Sequence, residues 1–416
     1  MTNTNRPSQE KLHVDVAIVG GAMTGAILAL ALAQLSTHTR NKTNKKGQPL
    51  KIALIEAQRP NNGHPGFDAR SIAIAHQSIF ELTQLGIWPK LAHLGTPITH
   101  IHVSDRGHFG MTELNSEHFH LPYLGQVVEL DAVGHSLFQL LDNSDVQLFC
   151  PATLEHVDTH PDKQSLMLTD GRQIDAALVI AADGIHSKVR QSMNLPLEQV
   201  DFKQTAVVAN IHTRKPHQHW AYERFTQNGP LALLPLTSHQ GQNRLSLVWA
   251  LSDQEATRLL DAPKSVFIDE LQQAFGFRAG EFIDVGQRSS YPLMLSSMRR
   301  PIYHRTLFIG NAAQTLHPIA GQGFNLGLRD LVSVIKILKS AIAQEQDLGS
   351  AQVVHDYLAC RVKDRDSTLE HIEFLVRGFS NQHWPLVLGR DLGLRLLSWF
   401  PPLKMPIAKT AMGWKS

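Results

Sequence analysis

The glycine spacing in residues 307–330 is the pattern in this chain most suited to chemistry. The segment opens with an apolar run that predicts a buried strand, and Gly310 then permits a turn. Gly321 and Gly323 lack a Cβ, so they can bring backbone N–H groups close to a flat ligand. A helix is predicted from about Phe324, and a helix start carries free N–H donors and partial positive charge. The pattern favours a site for an electron-accepting ring that becomes an anion on reduction, with an ordinary glycine-rich loop as the alternative.

A second strand, turn and helix lies near the start of the chain. Residues 14–19 have an apolar strand pattern, and residues 26–35 continue as a helix rich in Ala and Leu. A dinucleotide-binding turn requires this context, because one glycine permits the tight turn and another lets the helix pack on the strand. Gly20 and Gly25 stand at those two positions, and Ala22 replaces the middle glycine. The predicted binding turn consists of Gly20, Gly21, Ala22, Met23, Thr24 and Gly25.

An acidic residue follows the next apolar strand. Residues 52–55 predict a second buried strand, and Glu56 at its end is suited to the ribose hydroxyls of an adenosine. Glu56 lies further from Gly25 than is usual for this fingerprint. The polar and basic residues 37–49 account for the extra length as a surface loop inserted between the helix and the strand.

A membrane helix is the competing interpretation of the same region. Residues 16–35 contain no charge, and Gly21 and Gly25 have the spacing of a helix-packing motif in membranes. The strand pattern at the start of the run, the Gly-Gly turn and the acid at the second strand end favour the nucleotide fold instead.

A third strand pattern, residues 176–181, runs into Asp183 and a glycine. Asp183 can hold a nearby cation or a ribose, and Arg190 can contact phosphates. The alternative is an ordinary strand with an Asp-Gly turn. Three strand ends of this kind would meet at the carboxyl edge of one parallel sheet. Together with the glycine-rich segment they indicate a flavin site.

On these residues the chain resembles the flavin-dependent aromatic hydroxylases with the p-hydroxybenzoate hydroxylase fold, and within them the ring hydroxylases of the ubiquinone pathway. The resemblance spans almost the whole chain, including the tail at residues 386–394. Asn311 replaces the Asp of the wider family's Gly-Asp motif, as in the narrower ubiquinone group. The matching segments are residues 20–26, 64–75, 103–108, 124–130, 181–187, 224–236, 288–293 and 310–330.

The resemblance implies an α/β fold with a Rossmann-like FAD-binding domain, an antiparallel-sheet substrate domain and a C-terminal helical segment. It implies a discontinuous FAD domain at residues 11–98, 126–190 and 284–368, a substrate domain at 99–125 and 191–283, and a C-terminal segment at 369–416. It also implies FAD as the cofactor, with NADPH or NADH as a transient co-substrate that needs no nucleotide domain of its own.

Roles for single residues follow from the same resemblance. Arg70 would reach the flavin pyrophosphate and the mobile ring, Gln126 the ribityl chain, and Asp183 both flavin and nicotinamide. Asn311, beside Gly310, can hydrogen-bond the ribityl chain without charge. Residues Gly321, Gly323, Phe324 and Asn325 would form the floor and pyrimidine edge of the ring site, with Pro318, Ile319 and Ala320 beside the flavin where the phenol stands.

The implied reaction is ring hydroxylation of a polyprenyl methoxyphenol in ubiquinone biosynthesis. In this family the reduced flavin reacts with O₂ to give a C4a-hydroperoxide, which transfers oxygen to the phenol. A general base is not evident from the sequence, and Tyr222, Arg224, Tyr291 and His317 are the candidates. Two alternatives stay open: a flavin oxidoreductase of a prenyl lipid that inserts no oxygen, and a non-catalytic flavin-binding scaffold in a ubiquinone-pathway complex.

Composition is consistent with this class of protein. The 416 residues predict about two domains with ample core, and a net charge of +2 does not suggest a nucleic-acid partner. Cys150 and Cys360 fit a reducing cytosol and imply no disulfide framework. The 23 histidines include close pairs, but no HExxH motif or cysteine partner accompanies them, so no metal site is predicted.

The C-terminal segment has a distinct composition. From Arg390 to Ser416, five Lys or Arg residues accompany one acid, Asp391, among many apolar residues. One interpretation is a basic, apolar surface that contacts the inner face of a membrane, where a polyprenyl phenol dissolves, on an otherwise cytoplasmic protein. The alternative is a helix packed on the body of the protein. The resemblance also implies association with other ubiquinone-pathway proteins.

Overall fold

The computed structural model describes residues 11–38, 49–60, 70–106, 111–316 and 322–379. In chain order, the strands are β1 (Leu12–Val19), β2 (Ile52–Ile55), β3 (Ser71–Ala75), β4 (Thr96–Ile98), β5 (His100–Asp105), β6 (Met111–Asn115), β7 (Gly125–Glu129), β8 (Gln147–Phe149), β9 (Leu154–Thr159), β10 (Gln164–Leu168), β11 (Gln173–Ala181), β12 (Glu198–Thr213), β13 (Trp220–Phe225), β14 (Pro230–His239), β15 (Gln242–Ser252), β16 (Phe282–Val285), β17 (Ser289–Ser297), β18 (Ile302–Tyr303), β19 (Thr306–Phe308) and β20 (Gln314–Thr315). The helices are α1 (Met23–His38), α2 (His76–Gln84), α3 (Trp88–Leu91), α4 (Leu130–Asp142), α5 (Lys188–Ser192), α6 (Asp253–Asp261), α7 (Lys264–Phe275), α8 (Gln322–Ala343) and α9 (Ala351–Phe379).

The first sheet has the order β18-β19-β11-β1-β2-β8, with the β9–β10 hairpin attached to β11. Strands β19, β11, β1, β2 and β8 run parallel, as the pairs β11–β19, β1–β11, β1–β2 and β2–β8 show. The predicted strands 14–19, 52–55 and 176–181 are therefore confirmed, and their carboxyl ends lie at the same edge. The three strand ends carrying the predicted binding residues meet there, as expected of parallel neighbours.

Both faces of this sheet are covered, which explains why β1 is apolar along most of its length. Val16 and Ile18 belong to a core shared with α1, α4, α8 and α9. Ala17 and Val19, which alternate with them, pack on the opposite side with the β9–β10 hairpin. Helix α1 is buried from Gly25 to Ala33, and each of its fully buried Leu or Ile side chains stabilises the fold by about 1.5–3 kcal/mol.

The uncharged run 16–35 divides between the end of β1, a turn and α1. The prediction of a nucleotide fold for this run is confirmed over the membrane alternative. Across the described parts of the chain, every helix is too short or too polar to span a bilayer.

The second sheet contains nine strands in the order β20-β17-β12-β15-β14-β13-β5-β6, with β16 on β12. It is antiparallel except for the pair β13–β5, which is parallel. The strand-like apolar runs 231–236 and 245–251 lie inside β14 and β15. The predicted domain boundary at residue 284 cuts through this sheet, because β17 pairs with β12. The domain limits as a whole stay a prediction.

The two faces of the second sheet have different neighbours. The outer face is covered by α6 and α7, whose Leu259, Phe267 and Leu271 pack on alternate residues of β12–β15. Helix α6 begins after Ser252, whose hydroxyl accepts a hydrogen bond from the Glu255 N–H. The inner face packs against the small sheet β3-β7-β4 and against α8. The predicted fold class, a parallel α/β sheet with an antiparallel sheet, is confirmed. Of the predicted C-terminal helical segment, residues 369–379 lie in α9 and residues 380–416 lie outside the described ranges.

Candidate functional site

The turn after β1 is held so tightly that only glycine fits at two positions. Gly20 has φ +100, and a Cβ on it would lie 2.5 Å from the Ala182 carbonyl oxygen. The Gly20 N–H donates to the Ile55 carbonyl at 2.8 Å, which ties the turn to β2. A Cβ on Gly25 would lie 1.9 Å from the Gly20 carbonyl oxygen. Helix α1 therefore starts in direct contact with the turn, as the fingerprint predicts.

Glu56 lies directly beside this turn. Its side chain is nearly buried, at 9% exposure. Oε2 accepts a hydrogen bond from the Gly21 N–H at 2.5 Å, and Oε1 accepts one from the Gln58 N–H at 3.0 Å. A Cβ on Gly21 would be 2.9 Å from the Glu56 Cβ, so glycine is required for this approach. Each carboxylate oxygen can accept more than one hydrogen bond, which leaves capacity for ribose hydroxyls.

The remaining residues of the turn pack either against the core or against the turn after β19. Met23 is buried in the core, at 4% exposure, so its side chain serves packing. Ala22 is half-buried and packs against the same core. Thr24 lies against Gly310, since a Cβ on that glycine would be 3.3 Å from the Thr24 Oγ1. The start of α1 and the end of β19 are therefore adjacent.

A short 3₁₀ turn, Gly310–Ala312, follows β19 and carries the predicted ribityl contact. Gly310 has φ +54, which favours glycine. Asn311 is exposed at the sheet edge, where its amide is available to a ligand. The Gly310 N–H donates a buried hydrogen bond to Asp330 Oδ2 at 3.0 Å.

Asp330 anchors this turn to both C-terminal helices, and the sequence analysis did not identify it. Its Oδ2 also accepts from Gln314 Nε2 at 2.6 Å, and its Oδ1 accepts from Arg361 Nε at 2.8 Å. Asp330 is 1% exposed and Arg361 4% exposed, so the pair is buried. Arg361 also contacts Asp364. The acid three residues after Gly327 was a visible signal, but its partner lies 31 residues further on and no local pattern links them.

Asp183 follows β11 and caps the next short helix. Its Oδ2 accepts from the N–H groups of Lys188 at 2.7 Å and Val189 at 3.2 Å. Burial raises the pKa of the Asp183 carboxyl, while hydrogen bonds from Ser187 and these N–H groups act in the opposite direction. Its Oδ1 is buried, and no described residue hydrogen-bonds to it. This oxygen is an acceptor beside Gly20, as a nucleotide ligand requires.

Arg190 lies among the loops at this edge, where backbone carbonyls use its guanidinium. Its guanidinium donates to the carbonyls of Ala312 at 2.9 Å and Ile185 at 2.5 Å. Burial lowers the pKa of Arg190. The side chain therefore joins the loop that contains Asp183 to the turn after β19, and it stabilises both loops of the site.

Arg70 and Gln126 lie on the small sheet between the two larger ones. The Arg70 guanidinium carbon is 5.6 Å from the centre of the Tyr291 ring, a cation–π distance. Tyr291 belongs to the inner face of the second sheet, together with Ala206 and Leu293. Gln126 is buried on β7, and its Oε1 would be 2.0 Å from a Cβ on Gly95. Their contacts with flavin stay a prediction.

The start of α8 lies where the sequence places the ring site, two residues earlier than predicted. Gly323 and Phe324 are half-buried there, and a Cβ on Gly323 would meet no atom of the described residues within 4 Å. Asn325 has a structural role: its Oδ1 accepts from Ala75 N at 2.9 Å and Ser78 Oγ at 2.8 Å. Its Nδ2 donates to the Ala73 carbonyl at 3.1 Å, so the amide fastens β3 to α8. Five predicted residues lie outside the described ranges: His317, Pro318, Ile319, Ala320 and Gly321.

Two of the candidate bases face away from the inner face. Tyr222 packs on the outer face, where its ring centre lies 5.5 Å from that of Phe275. Arg224, two residues along the same strand, shares that face, and its Nη1 lies 3.9 Å from the position of a Cβ on Gly276. Burial raises the pKa of Tyr222. Tyr291 is the described candidate that lies on the inner face.

The residues at this edge fit an FAD. A glycine turn at the start of α1 suits a pyrophosphate, since helix N-termini bind anions. The nearly buried carboxylate of Glu56 suits an adenosine ribose, Asp183 offers a buried acceptor, and Asn311 is exposed beside them.

Comparison with known proteins agrees with this geometry. Residues 13–354 match the family model described as FAD binding domain. The chain is 33% identical to the ubiquinone hydroxylase UbiL of Rhodospirillum rubrum, over 96% of this chain and 89% of that protein. It is 30% identical to the 3-demethoxyubiquinol 3-hydroxylase of Escherichia coli, over 99% of this chain and 100% of that protein. The solved structure of P. aeruginosa PqsL with 2-aminobenzoylacetate has the same fold, with a TM-score of 0.74 at 18% identity over 92% of this chain and 99% of that one.

Proposed function

This chain belongs to the FAD-dependent monooxygenases of ubiquinone biosynthesis, and from that premise we propose that it hydroxylates the aromatic ring of a prenylated phenol. The reaction uses NADPH or NADH and O₂, and the phenol carries a polyprenyl chain and a methoxy group. The observation that carries the proposal is the convergence of the glycine turn, Glu56, Asp183 and Asn311 at one sheet edge. The inner face of the second sheet lies close to the start of α8, because Leu326 packs with Phe225 and Leu295 of that face.

Bound FAD, reduced by NAD(P)H, supplies the electrons that activate O₂ and deliver one oxygen atom to the ring. The protein positions the cofactor and the substrate, and it excludes water from the site. Gly20 and Gly25 admit the pyrophosphate, Glu56 holds the ribose, and Asn311 orients the ribityl chain. The start of α8 offers N–H donors and partial positive charge to the anionic reduced ring. The apolar inner face excludes water, which protects a reactive oxygen donor from wasteful decay.

Isotopically labelled O₂ separates a monooxygenase from an oxidoreductase on the same fold. We expect the purified protein with FAD, NADPH and a short-chain prenyl phenol to form a product that carries one labelled oxygen. Mass spectrometry of the product is the measurement. Product without label would identify a reductase or dehydrogenase, and NADPH oxidation that the phenol does not stimulate would identify a scaffold.

The C-terminal segment 369–416 is the part of the chain that we propose meets the membrane surface and other proteins of the pathway. The support is its composition, with five basic residues and one acid after position 389. We expect deletion of residues 390–416 to release the protein from sedimented anionic liposomes while FAD stays bound. Equal sedimentation of the full-length and shortened proteins would contradict the membrane contact.

A further inference from the structure

One row of cross-strand neighbours on the second sheet combines a carboxylate with apolar side chains. Register places Glu223 of β13 beside Val103 of β5 and Ala232 of β14. Ala232 pairs in turn with Val248 of β15, and Val248 pairs with Val208 of β12. All five residues are described, and Glu223 is the one ionisable member of the row.

Alternation along β13 puts this carboxylate on the inner face. Its neighbours two positions away, Ala221 and Phe225, both pack inward. Phe225 packs with Leu316 and Leu326, which flank in sequence the segment predicted to lie beside the flavin. Glu223 therefore lies on the part of the sheet that faces the start of α8.

The row borders accessible space. Glu223, Ala232 and Val248 are half-buried, whereas the outward-facing residues that alternate with them on β14 and β15 are buried. Along β13, β14 and β15, the other ionisable side chain on the inner face is Arg244. Both of its terminal nitrogens bond to Glu129, at 3.1 and 2.7 Å. On the neighbouring strand β5, Asp105 shares the inner face one row away, since it pairs with Phe225.

We propose that Glu223 is the catalytic residue that hydrogen-bonds the ring hydroxyl of the phenol and accepts its proton during oxygen transfer. This inference rests on the proposed function. A half-buried carboxylate beside apolar side chains on one face of a sheet is the kind of group whose basicity the surroundings adjust for catalysis. The apolar members of the row would contact the flat ring on either side of the hydroxyl.

The proton and electrons balance in this step. The phenol O–H bond breaks and the proton passes to the carboxylate. The released electron pair moves into the ring, and a ring carbon beside or opposite the hydroxyl bonds to the electrophilic hydroxyl oxygen that the cofactor delivers. The bond between that oxygen and its donor breaks, and its electron pair stays on the donor. The ring carbon then loses its hydrogen as a proton, which the donor takes up, and the carboxylic acid returns a proton to the original oxygen, which restores aromaticity.

Replacing Glu223 by glutamine tests the role, because the amide keeps the size but cannot take the proton. We expect Glu223→Gln to bind FAD normally and to form on the order of 100-fold less product per NADPH oxidised. Hydrogen peroxide should account for the difference. Product formation should recover as pH rises toward the pKa of the free phenol, roughly 10, since the substrate then arrives ionised.

Glu113→Gln is the matched control, because Glu113 lies opposite the outward-facing His102 and forms an ion pair with Arg278, so it lies on the other face of the sheet. This variant should form as much product per NADPH oxidised as the wild type. If Glu223→Gln fails to hold FAD, the pair Glu223→Asp and Glu223→Asn supplies the same comparison, with product retained only by the carboxylate. The inference would be overturned if Glu223→Gln formed as much product per NADPH oxidised as the wild type, with an unchanged pH profile. A wild-type protein that inserts no labelled oxygen would instead overturn the proposed function.

Discussion

Gly25→Ala is expected to lose most of its FAD. The added Cβ would lie 1.9 Å from the Gly20 carbonyl oxygen and 3.3 Å from the Ala182 Cβ. Helix α1 cannot move away, since its neighbours in the core are fully buried. The turn that receives the pyrophosphate must shift instead. Overpacking of this kind costs about 1–3 kcal/mol, which corresponds to a roughly 10- to 100-fold weaker FAD affinity if the strain falls on the site.

FAD titration of the apoprotein, followed by quenching of flavin fluorescence, measures this loss. Gly286→Ala is the matched control, because its Cβ would meet the nearest atom, the Asn210 carbonyl oxygen, at an ordinary 3.4 Å. The control should bind FAD like the wild type. Wild-type FAD affinity in Gly25→Ala would show that the pyrophosphate does not lie at this turn.

Asp330→Ala is expected to destabilise the whole protein and to reduce FAD occupancy. The substitution removes one of the two carboxylates that pair with the buried Arg361, the other being Asp364, and it removes the acceptor of the Gly310 and Gln314 hydrogen bonds. Leaving a buried charge wholly uncompensated typically costs about 3–5 kcal/mol, and the cost here should be lower because Asp364 remains. The turn Gly310–Ala312 then loses its anchor to α8, so the ribityl contact at Asn311 should loosen as well.

Urea denaturation of the apoprotein measures the loss of stability, and the FAD titration measures the loss of FAD affinity. Asp356→Ala on α9 is the control, because Asp356 is exposed and its carboxylate hydrogen-bonds only to Gln352 among the described residues. Its midpoint should stay close to that of the wild type, as exposed polar pairs contribute about 0–1 kcal/mol. An unchanged midpoint in Asp330→Ala would mean that the network does not support the turn.

The sequence allowed a good prediction of the parallel sheet and of its binding edge. Local signals sufficed there: a buried parallel strand is a continuous apolar run, and the turns after β1 and β19 need glycine for steric reasons. Glu56 was predictable because it immediately follows a strand. The extra length between Gly25 and Glu56 did not disturb the prediction, since the strand itself was recognisable.

Residues whose role depends on distant partners were not predictable in this way. Asp330 and Arg361 are 31 positions apart, and Arg190 reaches a carbonyl 122 positions away. Asn325 is predicted as a ring contact, which stays a prediction. Its amide oxygen also binds β3 and α2, whose place beside α8 no local pattern reveals.

The sequence also did not predict which face of the second sheet meets the flavin site. Alternation alone shows that Tyr222 and Glu223 lie on opposite faces, yet it does not say which face meets the flavin site. That depends on α6 and α7 covering one side, which is a consequence of tertiary packing.

The central claim is that one FAD binds where the carboxyl ends of β1, β2, β11 and β19 meet. The most direct measurement is the flavin content of the purified protein, with FAD titration of any apoprotein present. We predict one FAD per chain, with a visible flavin absorbance that Gly25→Ala lowers and Gly286→Ala preserves. A wild-type protein that is folded by circular dichroism, yet is colourless and binds no added FAD, would contradict the claim.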